Sequence, residues 1–325
     1  MSPRARALAV ASRVWHFTGM RRPHPAHLVA PFALAFALVA CSSPSTAPTP
    51  VEAPAVAASA PDAGPDTEAP APPPSPGCGI VPPRTGLLAK QTLSVSGKAR
   101  ELYVSLPATY QPARGYPVVL VFHGASDTRP EAQREWFGVE KAAPPAIFVY
   151  PQALPRTRAD GTGGSVTRWD LDGDEDLGFV DAILAELSAT YCVEPNLAFA
   201  TGFSSGGNFA QQLGCKRRSA LRAIGAVSGP GPFSTKCDGP LAVWMTHDVD
   251  DNALPVAGAR SSRDFWIKKN GCGAELVQEP QAECKRAVGC PADAPVIYCE
   301  SKGVGHAVAG YAPKAVADFF ATMMP

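Results

Sequence analysis

The amino-acid sequence predicts an α/β fold, with a mostly parallel central sheet flanked by helices and held by disulfides. From Cys78 onward, short apolar runs rich in β-branched residues alternate with longer amphipathic stretches, as in a parallel sheet covered by helices. The 325 residues exceed the about 250 that one such domain requires. Eight of the nine cysteines lie in this region, and an even number suggests about four disulfides.

The amino-terminal segment carries an export pattern. Residues 28–40 form an apolar run, LVAPFALAFALVA, which follows two arginines and is too short to span a bilayer. Met20 directly precedes these arginines and would make a more ordinary start than Met1. We therefore predict a signal peptide over residues 1–41.

The apolar run ends in Leu38-Val39-Ala40-Cys41, which resembles the bacterial lipobox, in which the cysteine is acylated. Plain signal cleavage is the alternative. Acylation of Cys41 would place the protein outside the cytoplasm, lipid-anchored at the outer membrane or cell surface. Ser42, in place of an aspartate, favours the outer membrane.

Residues 42–77 are rich in proline and alanine and contain no lysine, arginine or aromatic residue. Such a segment cannot bury enough apolar surface to fold. We expect a disordered tether here and a catalytic domain over residues 78–325. No internal repeat or second domain is indicated.

The charge balance excludes some partners. Lysine plus arginine and aspartate plus glutamate both total 29, so no net field attracts nucleic acid or an anionic membrane. The lipid anchor is the only expected membrane contact. No C-x-x-C pattern occurs, which disfavours a zinc site. We expect a monomer without metal or organic cofactor. For any one cysteine, the alternative to a disulfide is a free buried thiol.

The catalytic domain is expected to contain seven strands and at least two amphipathic helices. Apolar positions repeat at helical spacing over residues 177–191 and 316–323, and their function is core packing. The predicted strands, most of them continuous apolar runs of the kind buried on both faces, cover residues 100–106, 118–122, 146–150, 197–201, 223–228, 241–245 and 296–299.

A candidate nucleophile follows the fourth predicted strand. The sequence Gly202-Phe203-Ser204-Ser205-Gly206 is a G-x-S-x-G placed between a strand and a helical stretch. The glycines allow a strained turn that exposes the Ser204 hydroxyl, and the Ser205 amide would face a developing oxyanion. Ser205 is the rival nucleophile, but it lacks the symmetric glycine flanks.

A serine nucleophile needs an imidazole to take its proton. Three histidines remain after signal removal: His123, His247 and His306. His306 lies between the last strand and the final helix, in the chain order expected for the base. His123 precedes the nucleophile and so stands in the wrong order.

The acid that orients the base should lie between Ser204 and His306, at the end of a strand. Three aspartates follow the strand ending at residue 245: Asp248, Asp250 and Asp251. Their spacing does not choose among them, and one or two are expected to be turn formers.

Several short motifs together resemble a known group. From Cys78 to the C-terminus the chain is similar to the secreted esterases that include poly(3-hydroxybutyrate) depolymerase-like enzymes and the feruloyl and acetylxylan esterases of carbohydrate esterase family one, within the α/β-hydrolase superfamily. The motifs that carry the resemblance are Cys78-Gly79, Leu106-Pro107 with Tyr110, Phe122-His123-Gly124, Tyr191-Cys192, AFATGFSSGG, FWIKKNGC and Gly305-His306.

The resemblance implies residue roles. The family pattern H-G-T-x-D-x-x-V-P, laid on residues 247–255, places the acid at Asp251, with Asp250 as the alternative. Asp248 stands where the family has glycine, and GHAVAG replaces Gly-His-Thr-Trp-Pro-Gly around His306. These departures change the pocket rim and put the substrate in doubt.

The resemblance also implies that the amide of Ala125 supplies the second oxyanion donor. His123 and Trp169 become candidate pocket residues by the same resemblance. The alternative for His123 is a packed histidine that ties two loops together.

An acidic run, Asp170, Asp172, Asp174 and Asp176, invites a calcium site. The loop lacks glycine at its sixth position and glutamate at its twelfth. We therefore expect a solvated turn that places negative charge at the start of the next helix.

The sequence thus predicts an exported serine carboxylic-ester hydrolase that acts through an acyl-enzyme on a small-molecule or polymer ester, with feruloyl or acetyl esters of polysaccharide leading. The alternatives are a polyhydroxybutyrate depolymerase-like esterase, a non-catalytic surface-binding lipoprotein on the same fold, or a peptidase.

Overall fold

The protein is described by a computed structural model that covers residues 74–158 and 162–324. The predicted signal peptide, Cys41 and most of the predicted tether lie outside the described residues. Within them, Ser75 is buried, and its hydroxyl donates to the carbonyl of Tyr191 and accepts from the amide of Val193, both at 2.9 Å. Ser75, three residues before the predicted boundary at Cys78, is therefore hydrogen-bonded to the folded domain.

Most strands join one eleven-stranded sheet in the order β1-β3-β5-β4-β8-β9-β10-β13-β12-β11, with β2 paired to β3. The six strands from β5 to β13 in that order are parallel, and the strands outside them are antiparallel. The remaining pair, β6 and β7, forms a separate hairpin. The strands of the described residues are β1 Gly86–Leu87, β2 Gln91–Val95, β3 Lys98–Leu106, β4 Tyr116–Phe122, β5 Ile147–Pro151, β6 Pro155–Thr157, β7 Ser165–Thr167, β8 Val193–Phe203, β9 Ala223–Val227, β10 Ala242–Asp248, β11 Leu276–Gln278, β12 Cys284–Ala287 and β13 Val296–Ser301.

Helices cover both faces of the sheet. Side chains of β4 alternate between two cores, with Leu120 in the core that includes Phe209 and Trp266, and Val119 in the core that includes Phe319, as the pleat requires. The α-helices of the described residues are α1 Gln133–Trp136, α2 Val139–Ala142, α3 Glu175–Thr190, α4 Ser205–Lys216, α5 Val256–Lys269 and α6 Ala312–Thr322. The predicted α/β-hydrolase architecture is confirmed, and every predicted strand overlaps an observed one.

Four disulfides cross-link the domain, which confirms the expected number and supplies the pairing that the sequence left open. They join Cys78 to Cys192, Cys215 to Cys237, Cys272 to Cys290, and Cys284 to Cys299. Disulfides persist in oxidising compartments, so they fit an extracytoplasmic protein. In the part of the chain that the structure describes, no helix is long and apolar enough to cross a membrane.

Candidate active site

Ser204 lies on a strained turn between β8 and α4. Its backbone has φ 54° and ψ −119°, a conformation that non-glycine residues rarely adopt. A Cβ on Gly202 would lie 2.6 Å from the backbone of Gly206, and a Cβ on Gly206 would lie 2.1 Å from the carbonyl oxygen of Phe122. Only glycine therefore fits on either side of the serine, because backbone atoms occupy the space of a side chain.

Three of the predicted site residues form one hydrogen-bonded chain. The His306 Nε2 atom lies 2.9 Å from the Ser204 hydroxyl, and the Nδ1 atom lies 2.7 Å from Asp251 Oδ2. The carboxylate fixes the tautomer: Nδ1 carries the proton and donates to Asp251, so Nε2 is free to accept from the serine. The structure thus selects Asp251 over Asp250 as the partner of His306.

Asp251 is buried and held in its charged form. Burial by itself would raise the pKa of this carboxyl. The hydrogen bonds from the Leu254 amide, the His306 ring and the Ala253 amide nevertheless keep the pKa below its usual value. The amides lie 2.8 and 2.9 Å from Oδ1, which leaves Oδ2 for His306. A charged carboxylate at this position stabilises the imidazolium that forms when His306 takes a proton.

A second histidine contacts the same carboxylate, which the sequence did not indicate. The Nε2 atom of His247 lies 3.2 Å from Asp251 Oδ2 and 2.6 Å from the carbonyl oxygen of Leu254. Both neighbours are acceptors, so Nε2 carries the proton. His247 therefore contacts the carboxylate of Asp251 and not the serine. Its place at position 247, four residues before Asp251, was the only signal in the sequence.

Asp248 and Asp250, the other two candidate acids, bind backbone amides instead. Asp248 accepts from Val304 and Gly305, and Asp250 accepts from Gly303. Burial would raise the pKa of Asp248, but hydrogen bonds from Gly305, Ser301 and neighbouring amides lower it. Both carboxylates therefore bind the loop that carries His306.

The two predicted oxyanion donors flank Ser204. Ser205 is the first residue of α4, where backbone amides have no partner within the helix. On the other side, a Cβ on Gly124 would lie 3.7 Å from Ser204 Cβ, so the turn at residues 123–125 adjoins the nucleophile. Ala125 is exposed in this turn. The residues that carry the two predicted donor amides therefore lie next to Ser204, one in the chain and one in the adjoining turn.

The two predicted pocket residues, His123 and Trp169, lie in the protein interior next to the site. Both are fully buried. The His123 Nε2 atom accepts from the amide of Ala153 at 3.1 Å, and the indole of Trp169 donates to the carbonyl of His123 at 2.9 Å. Burial lowers the pKa of His123, which favours its neutral form. The His123 ring therefore links the segments that follow β4 and β5.

The acidic run differs from the expected solvated turn at one residue. Asp176 is fully buried and pairs with Arg100 at 2.5 Å and Arg156 at 3.1 Å, and it accepts from the amide of Asp170 at 2.6 Å. Two guanidinium groups neutralise this carboxylate, which explains how the charge is buried. Within the described residues, no cluster of three or more potential metal ligands occurs.

Two aromatic residues that the sequence did not indicate border the site. The Phe203 ring lies 4.9 Å from the His306 ring, and the Trp136 ring meets Phe203 edge-on at 5.1 Å. Trp136 is 53% exposed, although a side chain of this size is usually buried. An apolar aromatic surface therefore extends from the histidine to solvent.

Known proteins similar to the chain are esterases. No protein-family model matches the chain. It is 30% identical to a probable feruloyl esterase C of Aspergillus clavatus over 223 residues, which cover 66% of this chain and 75% of the relative. It is 29% identical to the feruloyl esterase C of Emericella nidulans, covering 63% and 73%.

Among solved structures, an acetyl xylan esterase from Aspergillus awamori has a TM-score of 0.52 and 16% identity, covering 72% of this chain and 99% of that one. This likeness shows the shared fold. The sequence similarity shows more, since it spans three quarters of a feruloyl esterase. The chain belongs to the feruloyl esterase family, and the protein is an esterase with an α/β-hydrolase fold.

Proposed function

We propose that the protein is a serine esterase in which Ser204 is the nucleophile, His306 the general base and Asp251 the acid that orients it. The observation that carries the proposal is the continuous chain of hydrogen bonds from Ser204 through His306 to Asp251. Its two distances lie within the range in which a base takes a proton from a nucleophile. Ser204 is partly exposed on its strained turn.

The reaction proceeds through an acyl-enzyme. Ser204 attacks the ester carbonyl while His306 Nε2 takes the hydroxyl proton, and the amides of Ser205 and Ala125 stabilise the oxyanion. The protonated His306 then donates this proton to the departing alcohol. In the second half, His306 takes a proton from water, the resulting hydroxide attacks the acyl-enzyme, and the proton returns to Ser204 as the acid leaves.

Labelling with a fluorophosphonate tests this assignment. The folded wild-type protein should lose all activity toward 4-nitrophenyl acetate as one label is attached to the peptide containing Ser204. Ser204→Ala should take up no label, whereas Ser205→Ala, which removes only the rival hydroxyl, should still become labelled. A folded wild-type protein that neither hydrolyses the ester nor becomes labelled would instead be a binding lipoprotein.

We further propose that the substrate is a feruloyl or acetyl ester carried by polysaccharide, and that the aromatic acyl group is preferred. The names of the relatives support both groups. Phe203, beside His306, and the half-exposed Trp136 that packs on Phe203 support the first, because a planar acyl group can stack on such rings.

A substrate panel separates the candidates. Trp136→Ala is expected to lower kcat/KM for methyl ferulate about 5- to 10-fold, the equivalent of one aromatic contact, and to leave 4-nitrophenyl acetate within twofold. Trp136→Phe, the matched control, should retain most of the ferulate activity. Equal losses on both esters would remove the aromatic preference. Faster hydrolysis of hydroxybutyrate oligomers than of methyl ferulate would favour a depolymerase-like activity.

We also propose that the mature protein is a monomer anchored by a lipid on Cys41. The apolar run before this cysteine supports the anchor, and the four disulfides agree with export. Cys41→Ala should move the activity from the membrane fraction to the soluble fraction of a bacterial host and abolish incorporation of radiolabelled palmitate. Soluble wild-type protein would contradict the anchor.

A further inference from the structure

The loop that carries His306 receives little support from packing over residues 302–305. It connects β13 to α6 and contains two glycines in the left-handed region, Gly303 at φ 80° and Gly305 at φ 69°. A Cβ added to either glycine would have no atom within 4 Å. Glycine backbones in open space have many accessible conformations, so hydrogen bonds must determine where this part of the loop lies.

A single buried carboxylate supplies most of these hydrogen bonds. Asp248 Oδ1 accepts from the amide of Gly305 at 3.0 Å, while Oδ2 accepts from the amide of Val304 at 3.0 Å and the hydroxyl of Ser301 at 2.9 Å. The two amides belong to the residues immediately before His306. Hydrogen bonds to a charged acceptor are about twice as strong as neutral ones, so this carboxylate restrains the histidine's own backbone.

Asp250 extends the same arrangement by one residue. Its Oδ2 accepts from the amide of Gly303 at 3.0 Å, so three successive amides point at two carboxylates. Such a row of amides forms an anion-binding concavity. Asp250 is exposed, whereas Asp248 is 1% exposed, which makes Asp248 the stronger anchor.

Asp248 itself is rigidly placed. It is the last residue of β10, pairs in parallel register with Ser301 of β13, and its Oδ1 also accepts from the amide of Asp250 at 2.9 Å. The position of the carboxylate is therefore determined by the central sheet, which also determines the position of Ser204 through β8.

We propose that Asp248 is a positioning residue for catalysis, which holds residues 304 and 305 so that His306 Nε2 remains within hydrogen-bond distance of Ser204. The inference rests on the proposed function of Ser204 and His306. It explains why a charged side chain is buried at a position where its hydrogen bonds go to the loop rather than to the imidazole. Loss of the carboxylate should slow proton transfer without changing how the ester binds.

Asp248→Asn tests the proposal. The carboxylate offers two acceptor oxygens, whereas the amide side chain offers one oxygen and one NH2 group. The NH2 group would face the N–H of at least one loop amide, so that hydrogen bond is lost. With 4-nitrophenyl acetate, kcat should fall at least tenfold while KM changes less than twofold. The downfield proton signal of the bond between His306 Nδ1 and Asp251 should weaken, although thermal unfolding stays cooperative. Asp250→Asn, the matched control, keeps an oxygen for Gly303 and should lower kcat less than threefold.

The proposal is overturned if folded Asp248→Asn retains kcat within twofold of wild type, or if Asp250→Asn loses as much as Asp248→Asn. Should Asp248→Asn fail to fold, Asp248→Glu decides: it keeps the charge but moves the carboxylate by one methylene, so the same selective fall in kcat is expected. An inactive wild-type protein would refute the proposed function instead, which distinguishes the two failures.

Discussion

The nucleophile and its base are held in place by different kinds of interaction. Around Ser204 the restraint is steric: backbone atoms of Phe122 and Gly206 occupy the space where side chains at residues 202 and 206 would lie. Around His306 the restraint is polar, because open glycines are held by the carboxylates of Asp248 and Asp250. The restraint on Ser204 therefore lies within a short sequence motif, whereas the restraint on His306 depends on carboxylates from a distant strand end.

The variants with the largest expected effect test whether Ser204 and His306 act as a unit. Ser204→Ala and His306→Ala should each lower kcat for 4-nitrophenyl acetate by on the order of 10⁶. The double variant should be no slower than either single variant, because each change already removes proton transfer to His306. Steady-state kinetics with purified protein measures this. Losses that multiply in the double variant would show that the two residues act independently.

The sterically restrained turn around Ser204 should not tolerate an added methyl group. Gly206→Ala places a Cβ 2.1 Å from the carbonyl oxygen of Phe122, and backbone must move to accommodate it. We expect the free energy of unfolding to fall by at least about 3 kcal/mol, measured by urea denaturation. A variant with wild-type stability would mean that the turn relaxes easily.

The loop that carries His306 should tolerate a glycine-to-alanine substitution better. Gly305→Ala adds a Cβ that meets no atom within 4 Å, so only the positive φ of 69° is unfavourable. The expected cost is about 1 kcal/mol in unfolding free energy. Urea denaturation beside Gly206→Ala gives the comparison directly. Equal destabilisation of the two variants would remove the distinction between steric and polar restraint.

The smallest effect is a pH dependence of stability. The pKa of Asp248 is lowered in the folded protein, so its contribution is complete above the unfolded value of about 3.9 and is lost as pH falls through the lower folded value. The stability difference between wild type and Asp248→Asn should be constant above about pH 5 and shrink below about pH 4. Urea denaturation across this range measures it; a difference that grows in acid would contradict the lowered pKa.

Much of the fold could be predicted from the sequence because the parallel strands are apolar on both faces. Residues 118–122, for example, supply both cores. Three antiparallel strands at the edges were missed, because β1 has only two residues and the short strands β11 and β12 carry polar or exposed residues. Helix α5 was missed for a related reason: its apolar face is narrow, with Trp266 the main buried side chain.

The site residues could be predicted where their role follows from neighbouring residues or from their order in the chain. The glycines around Ser204 follow from the geometry of one turn, and chain order identified His306. Spacing did not choose between three aspartates, because the choice depends on how the turn after β10 meets a loop more than fifty residues later. For His247 the only signal was its position four residues before Asp251, and for Trp136 there was none. Pairing with Asp251 and proximity to Phe203 exist only in the folded protein.

The amino-terminal residues of the described domain are bonded to the far end of β8. Ser75 bonds to Tyr191 and Val193, and Cys78 is joined to Cys192, whereas Ser204 follows the last residue of β8, roughly 30 Å along the strand. A support coupled to this end of the domain would therefore leave the opposite edge free. An insoluble polymer could then reach the serine without first passing the point of attachment.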